Sequence, residues 1–178
     1  MRYRVLGALR RSRRAAQRLR ALVRQVQHPS DVLLALEAIR LQRQTSAWLA
    51  RPLPLVMRAI TPPAAPCLPL PELERRTRLI DATVQLFRVV PLGFCLRRSL
   101  VRYVLLRRAG LPVEIVFGAR PEDTGSGSLI GHAWLEFDGA PWMEAPEHLD
   151  GYTAMYRYPE PGSRELHTRR AARRRTAN

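Results

Sequence analysis

The chain has no lysine: all 30 of its basic residues are arginine, a bias that codon composition explains as readily as function does. It has only two cysteines, Cys67 and Cys95, which excludes a disulfide framework and favours a reducing compartment. No apolar run approaches the ~20 residues that cross a bilayer, and no secretory signal peptide is visible. These absences predict a cytoplasmic protein without a membrane span.

Acidic residues are almost absent from the two ends of the chain. Residues 1–24 hold nine arginines and no acid, and residues 164–178 hold six arginines and one glutamate, so only +1 of the net charge of +15 lies between them. Such ends would bind phosphate, but no base-reading motif accompanies them, so nucleic acid is not the expected partner. An acid-free, Arg-rich start is also typical of an organelle transit peptide, and that alternative stays open.

Patterns along the chain predict helices first and a short antiparallel sheet second, an α+β plan. Helices are predicted over 1–27, from an N-cap at Ser30-Asp31 to about 49, over 72–90 and over 95–109, and strands over 113–118 and around a hairpin turn at Asp138-Gly139. The predicted units are an Arg-rich helical region (1–51), a Pro-rich connecting segment (52–71), a core (72–162) and an Arg-rich disordered tail (163–178).

Cys95 is the candidate nucleophile because the pattern places it at a helix start. Gly93 breaks the preceding segment, and apolar residues then recur at helical spacing as far as Gly110. The free N–H groups and the positive dipole end of a helix start stabilise a thiolate. Arg97 and Arg98 in the first turn also favour a nearby anion. A buried structural cysteine is the alternative interpretation.

His132 begins an alternating strand and is the candidate base. Together with Trp134 and Glu136 it would lie on one face of the strand. A thiol at a helix start and an imidazole on a nearby strand are the parts of a cysteine nucleophile and its base. A hydrogen-bonded structural histidine is the alternative.

The carboxylate that would orient His132 depends on the length of the hairpin loop. A three-residue loop beginning at Asp138 pairs Trp134 with Glu144 and brings Glu144 to the face of His132. A two-residue loop would put Glu144 opposite Ala133, on the other face. We therefore expect the longer loop and Glu144 as the orienting acid. Asp138 is the second choice, because it lies roughly 20 Å along the strand from His132.

Two runs, FCLRRSLVRYVLLRRAGLPVEIVFGAR and GHAWLEFDGAPWMEAPE, together resemble a known family. They combine a Cys-Leu-x-Arg helix start, a leucine-rich helix ending near glycine, a strand and a His-Ala-Trp motif. Over about residues 72–150 the chain is similar to the transglutaminase-like (papain-like) cysteine peptidase of lasso peptide biosynthesis, which is the peptidase half of the lasso B protein, of the microcin-processing type. With no separate recognition domain before it, the chain resembles the freestanding peptidase of a split system.

The resemblance implies removal of a leader peptide from a ribosomally made precursor in a bacterial cytoplasm. Cys95 matches the family nucleophile and His132 the family base, whereas Glu144 stands where the family usually has aspartate. Three partners are implied: the precursor peptide, a small leader-recognition protein and an ATP-dependent macrocyclase. No cofactor or metal is implied.

Three other functions stay open: a transglutaminase or acyltransferase with the same triad, a basic nucleic-acid-binding protein and a non-catalytic scaffold. The Arg-rich face of the N-terminal helices would suit the recognition partner or an acidic leader. A solvated helix face is the alternative for that surface.

Overall fold

Helices come first along the chain and strands last. The computed structural model describes residues 2–87, 93–122 and 127–160 and, in the first helix, the side chains of Arg13 and of residues 15 onward. The elements are α1 (Arg2–Gln25), α2 (Pro29–Leu49), α3 (Leu53–Ile60), α4 (Leu70–Leu86), α5 (Phe94–Arg108), β1 (Glu114–Pro121), β2 (Leu129–Phe137), β3 (Ala140–Pro141), a 3₁₀ turn (Pro146–His148) and β4 (Thr153–Tyr158). The α+β architecture expected from the sequence is confirmed.

The four strands form one antiparallel sheet in the order β3-β2-β1-β4. Along the β1–β2 pair, His132 lies opposite Gly118. Glycine is required there because the Trp134 ring lies against the strand: a Cβ on Gly118 would come within 2.8 Å of that ring. The predicted hairpin at Asp138-Gly139 is present, but its second strand, expected through 142–144, covers only Ala140–Pro141. Strand β4 is an addition that the sequence patterns did not indicate.

Helix α5 runs through the core of the fold. The apolar side chains between Leu100 and Leu106 are all buried, and removing them from water stabilises the fold by about 25 cal/mol for each Å² of apolar surface. The helix packs on β2, where the Ser99 hydroxyl donates to the Ala133 carbonyl at 2.8 Å. This contact fixes the first half of α5 against the strand that carries His132.

The start of α2 differs from the predicted one. Pro29 is the first helical residue and His28 the N-cap, so the predicted cap at Ser30-Asp31 is wrong. Proline suits the first helical position because its missing N–H would have no partner there. Asp31 instead lies inside the first turn, and its Oδ2 accepts hydrogen bonds from the backbone N–H groups of Gln27 at 2.9 Å and His28 at 3.0 Å.

The Pro-rich segment 52–71 is helical in part, which corrects the expected linker. Helix α3 lies within it, and α4 begins at its end. Pro54 and Pro71 each occupy the second position of a helix, where the lack of an N–H costs no intrahelical hydrogen bond. Residues 61–69 between the two helices belong to neither a helix nor a strand.

Helical spacing of apolar residues predicts that Leu19 and Val23 of the first helix, and Leu79, Val84 and Phe87 of the helix over 72–90, face the core. Leu79 and Val84 are buried, as predicted. The prediction is wrong for Leu19 and Val23, which are 51% and 62% exposed, and for Phe87, which is 43% exposed. The predicted end of the third helix at 90, part of the loop before β2 and the Arg-rich tail lie outside the described residues.

Asp31→Asn is expected to lower the free energy of unfolding by about 3 kcal/mol. The two Asp31 oxygens accept from Arg75 at 2.8 Å each, which ties α2 to α4. The Arg75 hydrogen bonds hold the pKa of Asp31 well below its ordinary value, although burial opposes them. The contribution is therefore present at neutral pH and is lost as pH falls below about 4.

Urea unfolding between pH 3 and pH 7 measures this effect. Glu74→Gln is the control, because the Glu74–Arg78 pair is about half exposed on both sides and is worth less than about 0.5 kcal/mol. An equal loss in the two variants, or a loss in Asp31→Asn that does not shrink at acidic pH, would contradict the prediction.

Candidate active site

Cys95 lies in the first turn of α5 and lines a cavity. Gly93, the N-cap, has φ +68°, a left-handed conformation that glycine adopts without strain, and its carbonyl accepts the Arg97 N–H at 3.1 Å. The cavity has a volume of about 300 Å³ and is mainly apolar, with Leu96 and Phe117 in its wall. Cys95 and His132 both line it, so the structure brings the two predicted site residues together.

Two aromatic rings lie next to the His132 ring. Trp134 stacks on it at a centroid distance of 5.9 Å and an angle of 19°, and Tyr152 lies at 5.2 Å and 39°. Its Nε2 is buried, makes no hydrogen bond with any residue that the structure describes, and lies 3.9 Å from Glu144 Oε1. The imidazole therefore directs one nitrogen at a carboxylate that is about 1 Å beyond hydrogen-bond distance.

Glu144 is almost completely buried, with 2% of its side chain exposed. Arg98 Nη2 donates to both carboxylate oxygens, at 2.7 and 2.6 Å. Arg102 Nη1 lies 3.4 Å from Oε2, and His148 Nδ1 lies 3.6 Å from Oε1. Two arginines one turn apart on α5 thus hold the carboxylate that faces His132.

Arg102 connects three parts of the fold. Its side chain is fully buried, and its Nη2 donates to the Trp142 carbonyl at 3.0 Å. Its Nε lies 3.6 Å from Asp81 Oδ1 on α4. Trp142 is held a second time, because its indole N–H donates to Thr77 Oγ1 at 3.1 Å. Arg102 therefore fixes the segment that ends in Glu144 against α4 and α5.

The two facing groups have pKa values that suit a base and its orienting anion. Burial lowers the pKa of His132; Glu144 opposes that shift, and Arg98 and His148 add to it. Burial raises the pKa of Glu144, but its hydrogen bonds to Arg98 and the charges of Arg98, Arg102 and His132 outweigh it, so the net pKa is lowered. Near neutral pH the imidazole is thus neutral and the carboxylate is charged.

The backbone that brings Glu144 close to His132 differs from the predicted hairpin. Phe137 pairs with Ala140, so the loop has two residues and the predicted three-residue loop is wrong. Strand β3 ends at Pro141, and Met143 has a left-handed φ of 48°. The chain leaves the sheet at this point, and alternation along a strand no longer decides which way Glu144 faces.

Asp138, the second choice, occupies the turn with φ 52°. It lies six residues beyond His132 along β2, roughly 20 Å away. The structure does not bring it to the imidazole.

The residues that hold Glu144 were only partly foreseen. Arg98 was expected to favour the thiolate of Cys95, and in the structure it pairs with the Glu144 carboxylate. Arg97 donates to Thr45 Oγ1 at 2.6 Å and Ser46 Oγ at 2.9 Å on α2. Arg102, Asp81, His148 and Tyr152 were missed. The available signal was the i, i+4 spacing of Arg98 and Arg102 within a leucine-rich helix, since arginine is rarely buried without a partner.

A comparison with models of protein families matches residues 33–157 to the Transglutaminase-like superfamily. The chain belongs to the transglutaminase-like superfamily. The transglutaminase-like fold implied by the resemblance is thereby confirmed, and the match includes α2 to α4 as well as the segment with Cys95 and His132. No curated protein and no solved structure matches the chain. Membership of this superfamily points to cysteine peptidase or acyltransferase chemistry.

Among the described residues, no cluster of His, Cys, Asp and Glu is arranged to hold a metal ion. Within the same residues, every helix is too short or too polar to cross a bilayer.

Proposed function

We propose that the protein is a cysteine peptidase that removes the leader peptide from a lasso peptide precursor. The observation that carries the proposal is the single cavity shared by Cys95 and His132, with a buried carboxylate 3.9 Å behind the imidazole. The sequence around these groups supports the finer assignment, because its CLRR and GHAW motifs resemble those of the lasso leader peptidases.

The first step is a proton transfer coupled to attack. Because Nε2 of His132 faces Glu144, Nδ1 is the nitrogen that takes the proton from the Cys95 thiol. The sulfur then forms a bond to the carbonyl carbon at the leader–core junction, and the carbonyl π electrons move to oxygen. Backbone N–H groups at the start of α5, including that of Cys95, stabilise this oxyanion.

The second step releases the core and then the leader. The oxyanion collapses, the C–N bond breaks, and His132 gives its proton to the departing amine. Water, deprotonated by His132, hydrolyses the thioester and leaves the leader as a carboxylic acid. The freed core amine is the group that ring closure needs, so an ATP-dependent macrocyclase is the proposed next enzyme.

A small leader-recognition protein is expected to present the precursor, and the bacterial cytoplasm is the expected compartment.

Two other functions make different predictions. A nucleic-acid-binding role predicts salt-dependent binding to duplex DNA that survives loss of Cys95. A transglutaminase or acyltransferase would form the same thioester and resolve it with an amine.

Mass spectrometry of the products tests the proposal directly. The protein is incubated with precursor and recognition partner, and the masses of leader and core are read. Free leader acid and free core amine are expected. A leader joined to an added amine, with little free acid, would favour the acyltransferase. Intact precursor in the presence of both partners would count against the peptidase.

Arg102→Met is expected to lower kcat by about 10- to 100-fold, because Glu144 and the Trp142 carbonyl lose a buried donor. Arg107→Met is the matched control: Arg107 is also buried on α5 but donates to the Val113 carbonyl at 3.2 Å, away from the site. Leader release is compared for variants whose thermal melts remain cooperative. Partial rescue by Arg102→Lys is expected, and an equal kcat loss in Arg107→Met would contradict the positioning role.

A further inference from the structure

A second cavity, of about 550 Å³, lies between α2, α3 and α5 and shares no lining residue with the cavity at Cys95. Its floor consists of the buried apolar side chains Leu41, Val56 and Val104. Leu55 at its edge is 57% exposed, which is high for a large apolar side chain. The volume lies within the range of pockets that bind ligands, and the apolar floor suits a bulky apolar group.

Among the residues that the structure describes, the charged side chains that line this second cavity are all positive. Arg40, Arg51 and Arg108 contribute to the lining, and no described acidic residue does. Glu37 lies behind Arg40 and Arg108 and contacts each at 2.6 Å, so it compensates one of the three charges. The Arg51 side chain forms no ion pair or hydrogen bond with any residue in the described ranges. A net positive charge therefore surrounds an apolar floor.

We propose that this cavity binds an acidic segment of the substrate peptide that carries a bulky apolar side chain. The apolar side chain covers the floor, and the flanking carboxylates pair with Arg51 and with the outer faces of Arg40 and Arg108. The side chains of Gln44 and Trp48 also line the cavity. The polar atoms of these two side chains bond to no described residue, so they are available to the peptide backbone. Naming the substrate as the occupant rests on the proposed peptidase function.

Helix α5 connects the two cavities, since Cys95 lies at its start and Arg108 at its end. Thirteen residues of helix span ~20 Å, and an extended peptide covers that distance in about six residues. One peptide therefore reaches both sites only if its acidic segment lies at least about six residues from the scissile bond. Peptides with a shorter spacer are expected to lose the benefit of the second cavity.

Binding is tested without chemistry, on the Cys95→Ala protein. The probe is the fluorescein-labelled peptide Glu-Asp-Glu-Phe-Glu-Asp, followed by fluorescence anisotropy at two salt concentrations. Arg51→Glu and Leu55→Ser are each expected to weaken binding by about fivefold to tenfold. Arg43→Glu is the matched control, because Arg43 is exposed on α2 but does not line the cavity. The probe with glutamine and asparagine in place of its acids should bind far more weakly.

Each alternative outcome has a distinct meaning. Equal losses in Arg43→Glu and Arg51→Glu would show general charge attraction and overturn the site, as would displacement by decanoate but not by unlabelled peptide. In the cleavage assay, Arg51→Glu should raise KM several-fold and Arg43→Glu should not; an unchanged KM would overturn the substrate as occupant. Cavity-dependent binding with no cleavage of any precursor would remove the peptidase function but leave an acidic-peptide site.

Discussion

Cys95→Ala abolishes leader release, and His132→Ala lowers it by about 10⁴-fold: these are the largest effects we expect. Alanine at position 95 leaves no sulfur to attack the carbonyl. In the proposed mechanism, alanine at position 132 removes the base that takes the thiol proton and the acid that protonates the amine. The rate of leader formation, followed by mass spectrometry under single-turnover conditions, measures both losses.

The second cysteine provides the control. Cys67 is exposed on the irregular segment before α4, with its Sγ 3.4 Å from the Leu68 carbonyl. Cys67→Ala should therefore cleave at the wild-type rate. Iodoacetamide applied to Cys67→Ala should inactivate the protein, with the added mass on Cys95. Cleavage by Cys95→Ala at the wild-type rate, or loss of cleavage in Cys67→Ala alone, would contradict the assignment of the nucleophile.

The parts of the site that are encoded locally were predictable. Glycine before Cys95 and regular apolar spacing after it define the start of α5, and an Asp-Gly turn defines the end of β2. Both signals depend on backbone geometry within a few residues. The sequence could therefore place a thiol at a helix start and an imidazole on a strand, and the antiparallel sheet then brought them to one cavity.

The position of Glu144 depends on contacts that no local pattern encodes. Its partners Arg98 and Arg102 are 46 and 42 residues away in sequence, and the left-handed Met143 turns the chain out of the sheet before it. The sequence argument selected Glu144 from strand alternation after a three-residue hairpin loop. The structure has a two-residue loop instead. Helix α3 was missed for another reason: proline counts against a helix in sequence statistics, but it is tolerated in the first turn of a helix.

The acid limb of the pH profile of kcat/KM should shift when Glu144 is replaced by glutamine. In the wild type, burial lowers the pKa of His132 and the Glu144 charge partly opposes that shift. Glu144→Gln removes the opposing charge, so the pKa of His132 should fall further. The acid limb of kcat/KM is therefore expected below about 6.5 in the wild type and at still lower pH in Glu144→Gln.

Glu144→Gln is further expected to lower kcat by about 100-fold or more, whereas Asp138→Asn should stay within about threefold of the wild type. The amide cannot stabilise the imidazolium that forms when His132 accepts the thiol proton, and asparagine tolerates the left-handed turn at position 138. Glu144→Asp keeps the charge that the family usually carries and should recover part of the rate. A purely structural role for Glu144 would lower the melting temperature in Glu144→Gln but leave the acid limb in place, and a larger kcat loss in Asp138→Asn would reverse the choice of the orienting acid.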